Sequence, residues 1–205
     1  FYNTQIKEKK INFYLPKSFY INALKLAHSK GKKIGLSVCD LSTWEDLREL
    51  NFDFYKILGI AVNNIPLLKN IKSKKKDTYI SLAIADDIKI KKCLKYISNK
   101  KKTSLIYTCM SYDAKDINLS RIAYLKKKYN IPVGYGHHFN NLTPVLMSSF
   151  YNPDFHFNSD YLSYDGSKTD FLGFDNGLRD NPIPSAQYIP LPQENPEVVE
   201  ILTNR

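Results

Sequence analysis

Short apolar runs alternate with longer amphipathic segments along most of the chain. Each apolar run is four to six residues long, is nearly continuous in apolar character and is mostly bounded by polar or turn residues. This pattern is typical of parallel strands that are covered on both faces. It predicts six strands, at residues 33–38, 54–58, 79–83, 104–108, 132–135 and 154–157.

Apolar residues at helical spacing fill the intervals between these runs and also precede the first one. Gly31 follows the first amphipathic segment and predicts its C-terminal stop. Ser42 and Glu45 have the spacing of a capping box, in which a hydroxyl and a carboxylate bind unpaired backbone amides, so Ser42 is expected to open the second helix. The predicted helices span residues 18–29, 42–50, 65–71, 87–98, 119–129 and 143–151.

Regular alternation of strands and helices predicts right-handed βαβ units and a parallel α/β sheet over residues 1–160. The alternation alone leaves both a barrel and an open doubly wound sheet as alternatives. No Gly-x-Gly-x-x-Gly follows the first strand, which removes the best support for a dinucleotide-binding sheet. Residues 161–205 are rich in Asp, Gly, Asn and Pro, and we expect an irregular loop and an extended tail with a helical turn at 198–202.

The net charge of +10 comes mainly from lysine clusters in or beside predicted helices, where a polar outer face is expected. Few arginines accompany them, so nucleic acid is not an expected partner, and attraction of a small anionic substrate is the better use of the charge. No apolar run reaches the roughly 18 residues of a membrane span. The three scattered cysteines favour reduced thiols, and the protein is expected in the cytoplasm.

Functional side chains of parallel α/β folds collect where strands end and loops begin. His138 and His156 are predicted at the ends of the last two strands, and neutral imidazole is a common metal ligand. The pair is either two ligands of one metal ion or two hydrogen-bonded residues at the rim of the core. Polar residues predicted at the other strand ends are residues 37–40, Lys56, Ser81, residues 109–112 and His137.

Lys56 interrupts an apolar strand, where its ammonium group needs a partner because burying an unpaired charge is costly. It is expected either to pair with a carboxylate such as Asp40 or to bind an anionic ligand. Asp40 precedes a predicted helix and also has two interpretations, a helix cap and a catalytic or ligand-binding carboxylate. The sequence does not separate these alternatives.

The strand ends, taken in order, resemble those of the sialic acid (N-acetylneuraminate) synthases and their relatives that make legionaminic and pseudaminic acids. Each motif is short, so the resemblance rests on their order and spacing between about residues 36 and 157. The matching segments are 54–57 and 64–68 (Tyr-Lys-Ile and Asn-x-Pro-Leu-Leu in the family), 107–112 (Cys-Thr-Ser-x-Tyr), 116–119 (Asp-x-Asn-Leu), 131–138 (Pro-Val-Gly-Tyr-Ser-Asp-His) and 154–157 (Glu-Lys-His-Phe).

The resemblance implies a TIM-type (β/α)8 barrel, incomplete here because the match begins at the third strand of that barrel. It also implies condensation of phosphoenolpyruvate with an N-acetylated hexose, an N-acetylhexosamine, to give a nonulosonic acid for cell-surface glycans. His138 and His156 would bind a divalent ion, typically Mn²⁺ in the family, that polarises the sugar aldehyde. The residues that would contact substrates are Lys56 and Tyr112, as catalytic residues, and Asp40, Ser81 and Ser111.

Several positions depart from the family pattern. After Lys56 the family has x-Ser-Gly-Glu, whereas residues 58–61 are Leu-Gly-Ile-Ala, which lack both the hydroxyl and the carboxylate. The family's Ser-Thr-Gly corresponds to Ser-Leu-Ala at residues 81–83, which leaves Ser81 to hold a phosphate oxygen. His137 and Phe155 replace an aspartate and a lysine that precede the two metal histidines.

These departures leave three hypotheses. The first is an active but divergent nonulosonic acid synthase, either monomeric or a homodimer. The second is a barrel relative that has lost phosphoenolpyruvate chemistry and keeps a metal- or sugar-binding pocket. The third is a basic binding module, which only the net charge supports.

Overall fold

The computed structural model describes residues 15–83, 85–97, 99, 101–109, 114–137 and 143–158. The predicted tail and its helical turn therefore lie outside the described residues. The strands are β1 (Gly35–Val38), β2 (Phe54–Ile57), β3 (Asp77–Ser81), β4 (Thr103–Thr108), β5 (Val133–His137) and β6 (His156–Asn158). The helices are α1 (Lys17–Ser29), α2 (Leu41–Leu47), α3 (Ile65–Ser73), α4 (Asp87–Ile97), α5 (Ser120–Tyr129) and α6 (Thr143–Ser148), with 3₁₀ turns at Gly59–Ala61, Ala114–Asp116 and Ser149–Tyr151.

All six strands are parallel and follow one another in chain order across a single sheet. This topology confirms the predicted α/β class, with one helix in each connection between strands. The strand boundaries differ from the prediction by up to two residues: β3 begins and ends two residues earlier, and β6 begins at His156 rather than at Asp154. Asp154 accepts a hydrogen bond from the Val133 amide, at 2.7 Å, and ends the loop that leads into the strand.

One face of the sheet, here called the outer face, packs against the helices. It carries alternate strand residues such as Tyr55, Ile80 and Tyr135, all buried in the core. Trp44 of α2 contacts Tyr55 edge to face, with their ring centroids 5.4 Å apart. Burial of a large aromatic stabilises a core by about 2–3 kcal/mol, so this layer anchors the helices to the sheet.

The opposite face is concave. Tyr79 of β3 and Phe155, which precedes β6, meet edge to face with centroids 5.3 Å apart. Lys56 of β2 reaches the Phe157 ring of β6. Strands β2 and β6 would be about 19 Å apart in a flat sheet, at about 4.8 Å per strand. These contacts therefore require the sheet to curl toward a barrel, with this concave face as its interior.

Helix ends confirm one predicted signal and correct another. Gly31 adopts φ +66° after the C-terminus of α1, the left-handed conformation that glycine adopts without steric cost. Ser42 does not open the second helix. Asp40 is the N-cap of α2, and its carboxylate accepts a hydrogen bond from the Thr43 amide at 2.7 Å. Asp40 occupies the position from which a side chain reaches the free amide, whereas Ser42 is already inside the helix.

Lysines cover the solvent-facing sides of two helices, and the cysteines are not joined to one another. Lysines at 91, 92, 95, 127 and 128 are exposed on α4 and α5, as the polar helix faces predicted. None of the three cysteines forms a disulfide bond, and burial raises the pKa of the Cys93 thiol to about 12. None of the described helices has the length and apolar character needed to cross a bilayer.

Candidate functional site

Lys56 lies on the concave face, where its ammonium group stacks over an aromatic ring. Its Nζ is 3.8 Å from the centroid of Phe157. The side chain is half-buried, so it is partly removed from water and yet accessible from the concave side. A cation over a ring face is attracted by the negative centre of the ring. The ring thus helps to hold the ammonium group on the concave face.

Ser81 is the last residue of β3, which confirms its predicted position at a strand end. Its Oγ lies 3.4 Å from Oγ1 of Thr108, the last residue of β4. Both hydroxyls are buried on the concave face. β3 lies between β2 and β4 in the sheet. Two adjacent hydroxyls at the carboxyl ends of parallel strands can bind anion oxygens. Lys56 lies on the same face of the adjacent strand β2, and these three residues are here called the candidate pocket.

Glycines on β5 leave room on the concave face for neighbouring side chains. A Cβ atom added to Gly136 would lie 2.4 Å from Thr108 Oγ1, and one added to Gly134 would lie 2.3 Å from the Phe155 ring. Both distances are far shorter than any real contact of a Cβ atom. The two glycines therefore let the Thr108 hydroxyl and the Phe155 ring occupy the space above β5.

Asp40 follows β1 and is held by its own neighbours. It accepts hydrogen bonds from the amide and hydroxyl of Thr43, the hydroxyl of Ser42 and the thiol of Cys39. Burial alone raises the pKa of the Asp40 carboxyl, but the hydrogen bonds donated to it prevail and lower the pKa well below its usual range. The helix-cap interpretation is confirmed, and a role in substrate binding stays a prediction.

His156 lies on the outer face, not on the concave one. It is the first residue of β6 and pairs in register with Tyr135, whose ring it contacts edge to face at 6.4 Å between centroids. Its Nε2 lies 2.9 Å from the buried Oγ of Ser148 in α6. The Ser148 hydroxyl also donates a hydrogen bond to the Val145 carbonyl, at 2.7 Å, so it connects His156 to the backbone of α6. The expected position at the carboxyl end of the strand is wrong.

This placement bears on the predicted metal pair. Burial lowers the pKa of His156, against a hydrogen bond to the Val145 carbonyl that raises it, and the lowered pKa favours the neutral imidazole that a metal ligand requires. Its ring nevertheless faces α6, away from Lys56 and Ser81, and as placed it does not fit a ligand that points into the pocket. Within the described ranges, no group of three His, Cys, Asp or Glu side chains is placed to hold a metal ion.

Three predicted site residues, Ser111, Tyr112 and His138, lie outside the described residues, so the metal pair remains a prediction.

Two residues of the site, Thr108 and Phe157, were not predicted as site residues from the sequence. The alternation of Gly134 and Gly136 was the signal for Thr108, because paired glycines on one strand face indicate a neighbouring group that needs room. Nothing in the sequence pairs Phe157 with Lys56, since their strands meet only through the curvature of the sheet.

The sequence profile of the NeuB family matches residues 3–149, more than two thirds of the chain. The chain belongs to the NeuB family. Among curated NeuB-like relatives, an uncharacterized protein of Methanocaldococcus jannaschii is 27% identical over 190 residues, covering 82% of this chain and 56% of that protein. The pseudaminic acid synthase of Campylobacter jejuni (strain 81-176) is 34% identical over 97 residues, covering 45% of this chain and 28% of the synthase. The chain thus spans about half, or less, of the curated relatives that it matches.

Solved structures share the NeuB family fold at low sequence identity. The N-acetylneuraminic acid synthetase of Leptospira borgpetersenii superposes with a TM-score of 0.66 at 21% identity, over 92% of this chain and 62% of the synthetase. A truncated 3-deoxy-D-arabino-heptulosonate 7-phosphate synthase of Thermotoga maritima gives a TM-score of 0.61 at 14% identity, over 80% of this chain and 69% of that chain. Together with the curled parallel sheet, these neighbours confirm an incomplete TIM-type barrel.

Proposed function

We propose that this protein is a nonulosonic acid synthase that condenses phosphoenolpyruvate with an N-acetylated hexose. The observation that carries the proposal is the concave pocket, in which a positioned lysine, Lys56, shares a strand-end surface with the buried hydroxyls of Ser81 and Thr108. Membership of the NeuB family and the names of a pseudaminic acid synthase and an N-acetylneuraminic acid synthetase support a nonulosonic acid as the product.

Phosphoenolpyruvate suits the charges of this pocket. It carries a carboxylate and a phosphate group, and an ammonium group in a partly desolvated site binds such anions more strongly than it does in water. Lys56 would hold one anionic group, and Ser81 would donate to a phosphate oxygen. The net positive charge of the chain favours the approach of the substrate.

The proposed reaction needs one new carbon–carbon bond and one water molecule. The C3 carbon of phosphoenolpyruvate attacks the aldehyde carbon of the open-chain sugar, whose oxygen takes up a proton. Water adds at C2, and inorganic phosphate leaves. The residues of this chain contribute by binding and orienting the anion. The free energy of binding then offsets part of the entropic cost of bringing the two reactants together.

A turnover assay tests the proposal directly. Full-length protein with Mn²⁺, phosphoenolpyruvate and a panel of N-acetylated hexosamines should release inorganic phosphate only when both substrates are present, with a nonulosonic acid detected by mass spectrometry in equal amount. Failure of phosphoenolpyruvate to bind, measured by calorimetry, would refute the proposed pocket. Phosphate release that does not depend on the sugar would refute the condensation.

A specific observation also favours the second candidate, a NeuB barrel that keeps a binding pocket without the condensation. Ala61, where the family pattern has a glutamate, is 1% exposed and belongs to the apolar core. Its methyl group cannot replace a carboxylate in proton transfer or sugar binding. This candidate predicts phosphoenolpyruvate binding with no phosphate release for any N-acetylated hexosamine.

The predicted Mn²⁺ site is kept separate from this proposal. When bound, a divalent ion would act as a Lewis acid on the sugar aldehyde. Because His156 faces α6 in this structure, no step is assigned to a metal held by His138 and His156.

A further inference from the structure

Gly59 and Ala83 meet just beyond the carboxyl ends of β2 and β3. Gly59 opens the 3₁₀ turn that follows β2, the strand of Lys56, and Ala83 follows β3, the strand of Ser81. A Cβ atom added to Gly59 would lie 2.5 Å from the Ala83 Cβ and 3.4 Å from the Ser81 carbonyl oxygen. Real Cβ atoms do not approach each other so closely, and the obstacle is a methyl group bonded directly to the backbone. A side chain at position 59 therefore requires the backbone to shift.

Ala83 itself has an unfavourable backbone conformation. Its φ is +38°, in the left-handed region that residues with a Cβ atom rarely adopt and that glycine adopts without steric cost. Two independent features thus point to the same methyl group. The Ala83 methyl group excludes a side chain from position 59. The same methyl group also makes the left-handed backbone conformation of Ala83 unfavourable.

The two positions also depart together from the family pattern, in which position 59 is a serine and position 83 is a glycine. The contact shows that the two positions share one space, so a larger side chain at one requires a smaller one at the other. We propose that Gly59 and Ala83 are a size-exchanged pair, and that the Ala83 methyl determines the anion affinity of the pocket by excluding a hydroxyl from position 59. The consequence for phosphoenolpyruvate rests on the proposed function, whereas the steric exchange does not.

The physical consequence concerns the environment of Ser81. A hydroxyl at position 59 would extend from a carbon beside the Ser81 carbonyl and would lie at the same strand-end surface. The Ala83 methyl presents an apolar surface there instead. A hydrogen bond to a charged ligand group raises affinity by roughly tenfold, so this exchange weakens anion binding by about that factor.

A double-mutant cycle on the full-length protein tests the steric part. Gly59→Ser should lower the Tm strongly in the native background and much less beside Ala83→Gly, with a difference of at least about 4 °C. Ala83→Gly alone should melt at or above the native Tm, because relief of the left-handed strain outweighs the added freedom of glycine in the unfolded chain. An equal loss of Tm for Gly59→Ser in both backgrounds would overturn the proposal.

Calorimetry with phosphoenolpyruvate tests the pocket part, and Gly59→Ala provides the matched control because it adds a methyl group without a hydroxyl. Gly59→Ser with Ala83→Gly should bind roughly tenfold more tightly than Ala83→Gly alone. Gly59→Ala with Ala83→Gly should recover stability without this gain, and equal affinity of the two double variants would overturn the pocket part. If no variant binds phosphoenolpyruvate, the proposed function fails with the pocket part, and the melting cycle still decides the steric exchange.

Discussion

The Lys56 ammonium group lies 3.8 Å from the centre of the Phe157 ring, so β2 and β6 meet across the concave face although three strands separate them in the sheet. The contact places a cationic group on the concave face, where an anionic ligand could be surrounded by the curved sheet. It also links the local fold to the proposed function, because the ring orients the ammonium group that would bind the anion.

Removing the Lys56 charge should abolish most anion binding without unfolding the protein. Lys56→Gln is expected to weaken phosphoenolpyruvate binding by at least about tenfold, the effect of losing a charge-assisted hydrogen bond in a partly desolvated site. Calorimetry at constant ionic strength measures this change. Lys69→Gln is the matched control, because Lys69 also lies over a ring, that of Tyr96, but is exposed on α3. Equal effects of the two variants would show a non-specific response to net charge.

The hydroxyl pair yields a second prediction with an isosteric control. Thr108→Val is expected to lower phosphoenolpyruvate affinity several-fold, because the Ser81 hydroxyl loses the group that positions it. Thr78→Val removes an equally buried hydroxyl from the outer face and should leave the affinity unchanged. Each variant should change the free energy of unfolding by about 1–2 kcal/mol. If Thr108→Val and Thr78→Val lower phosphoenolpyruvate affinity in proportion to their loss of unfolding free energy, Thr108 has a structural role only.

The order of strands and helices could be predicted because each apolar run is bounded by polar residues and matches one layer of the sheet. The face that each side chain takes was harder to predict. The predicted bounds of the last strand, 154–157, do not determine which face of the sheet His156 occupies. A shift of one residue in register moves every side chain of the strand to the opposite face. The capping prediction failed for a similar reason, since Asp40 and Ser42 are both good N-cap residues and only the start of α2 distinguishes them.

Parts of the pocket depend on tertiary structure that no local pattern contains. Lys56 was identifiable as a charge within an apolar strand, and Ser81 as a polar strand end. The contact of Lys56 with Phe157 requires the curvature of the whole sheet, and the contact between positions 59 and 83 requires the paths of two loops. The family pattern reveals that residues 59 and 83 are replaced, but it does not reveal that these two positions are in contact.

Asp40 leads to a pH-dependent prediction. Its carboxyl has a pKa lowered in the folded protein from the ordinary value of 3.8, so its contribution to stability is present above that value and is lost as the pH falls below it. Asp40→Ala should reduce the free energy of unfolding by about 1 kcal/mol at pH 7, as expected for loss of an N-cap, and by less at pH 3. Urea unfolding at both pH values measures the difference. Glu45→Ala, at an exposed position of the same helix, should show a smaller effect at pH 7.

Mn²⁺ binding provides a separate prediction for the two histidines. Full-length protein is expected to bind Mn²⁺ in calorimetry and to lose most of this binding when His138 or His156 is replaced by alanine. Because the His156 ring is held by Ser148 on the outer face, metal binding would require the ring to leave that hydrogen bond. Ser148→Ala should therefore strengthen Mn²⁺ binding, since it removes a competitor for the imidazole. If His156→Ala lowers the Tm without changing Mn²⁺ affinity, His156 is a structural partner of α6 and the predicted metal pair is wrong.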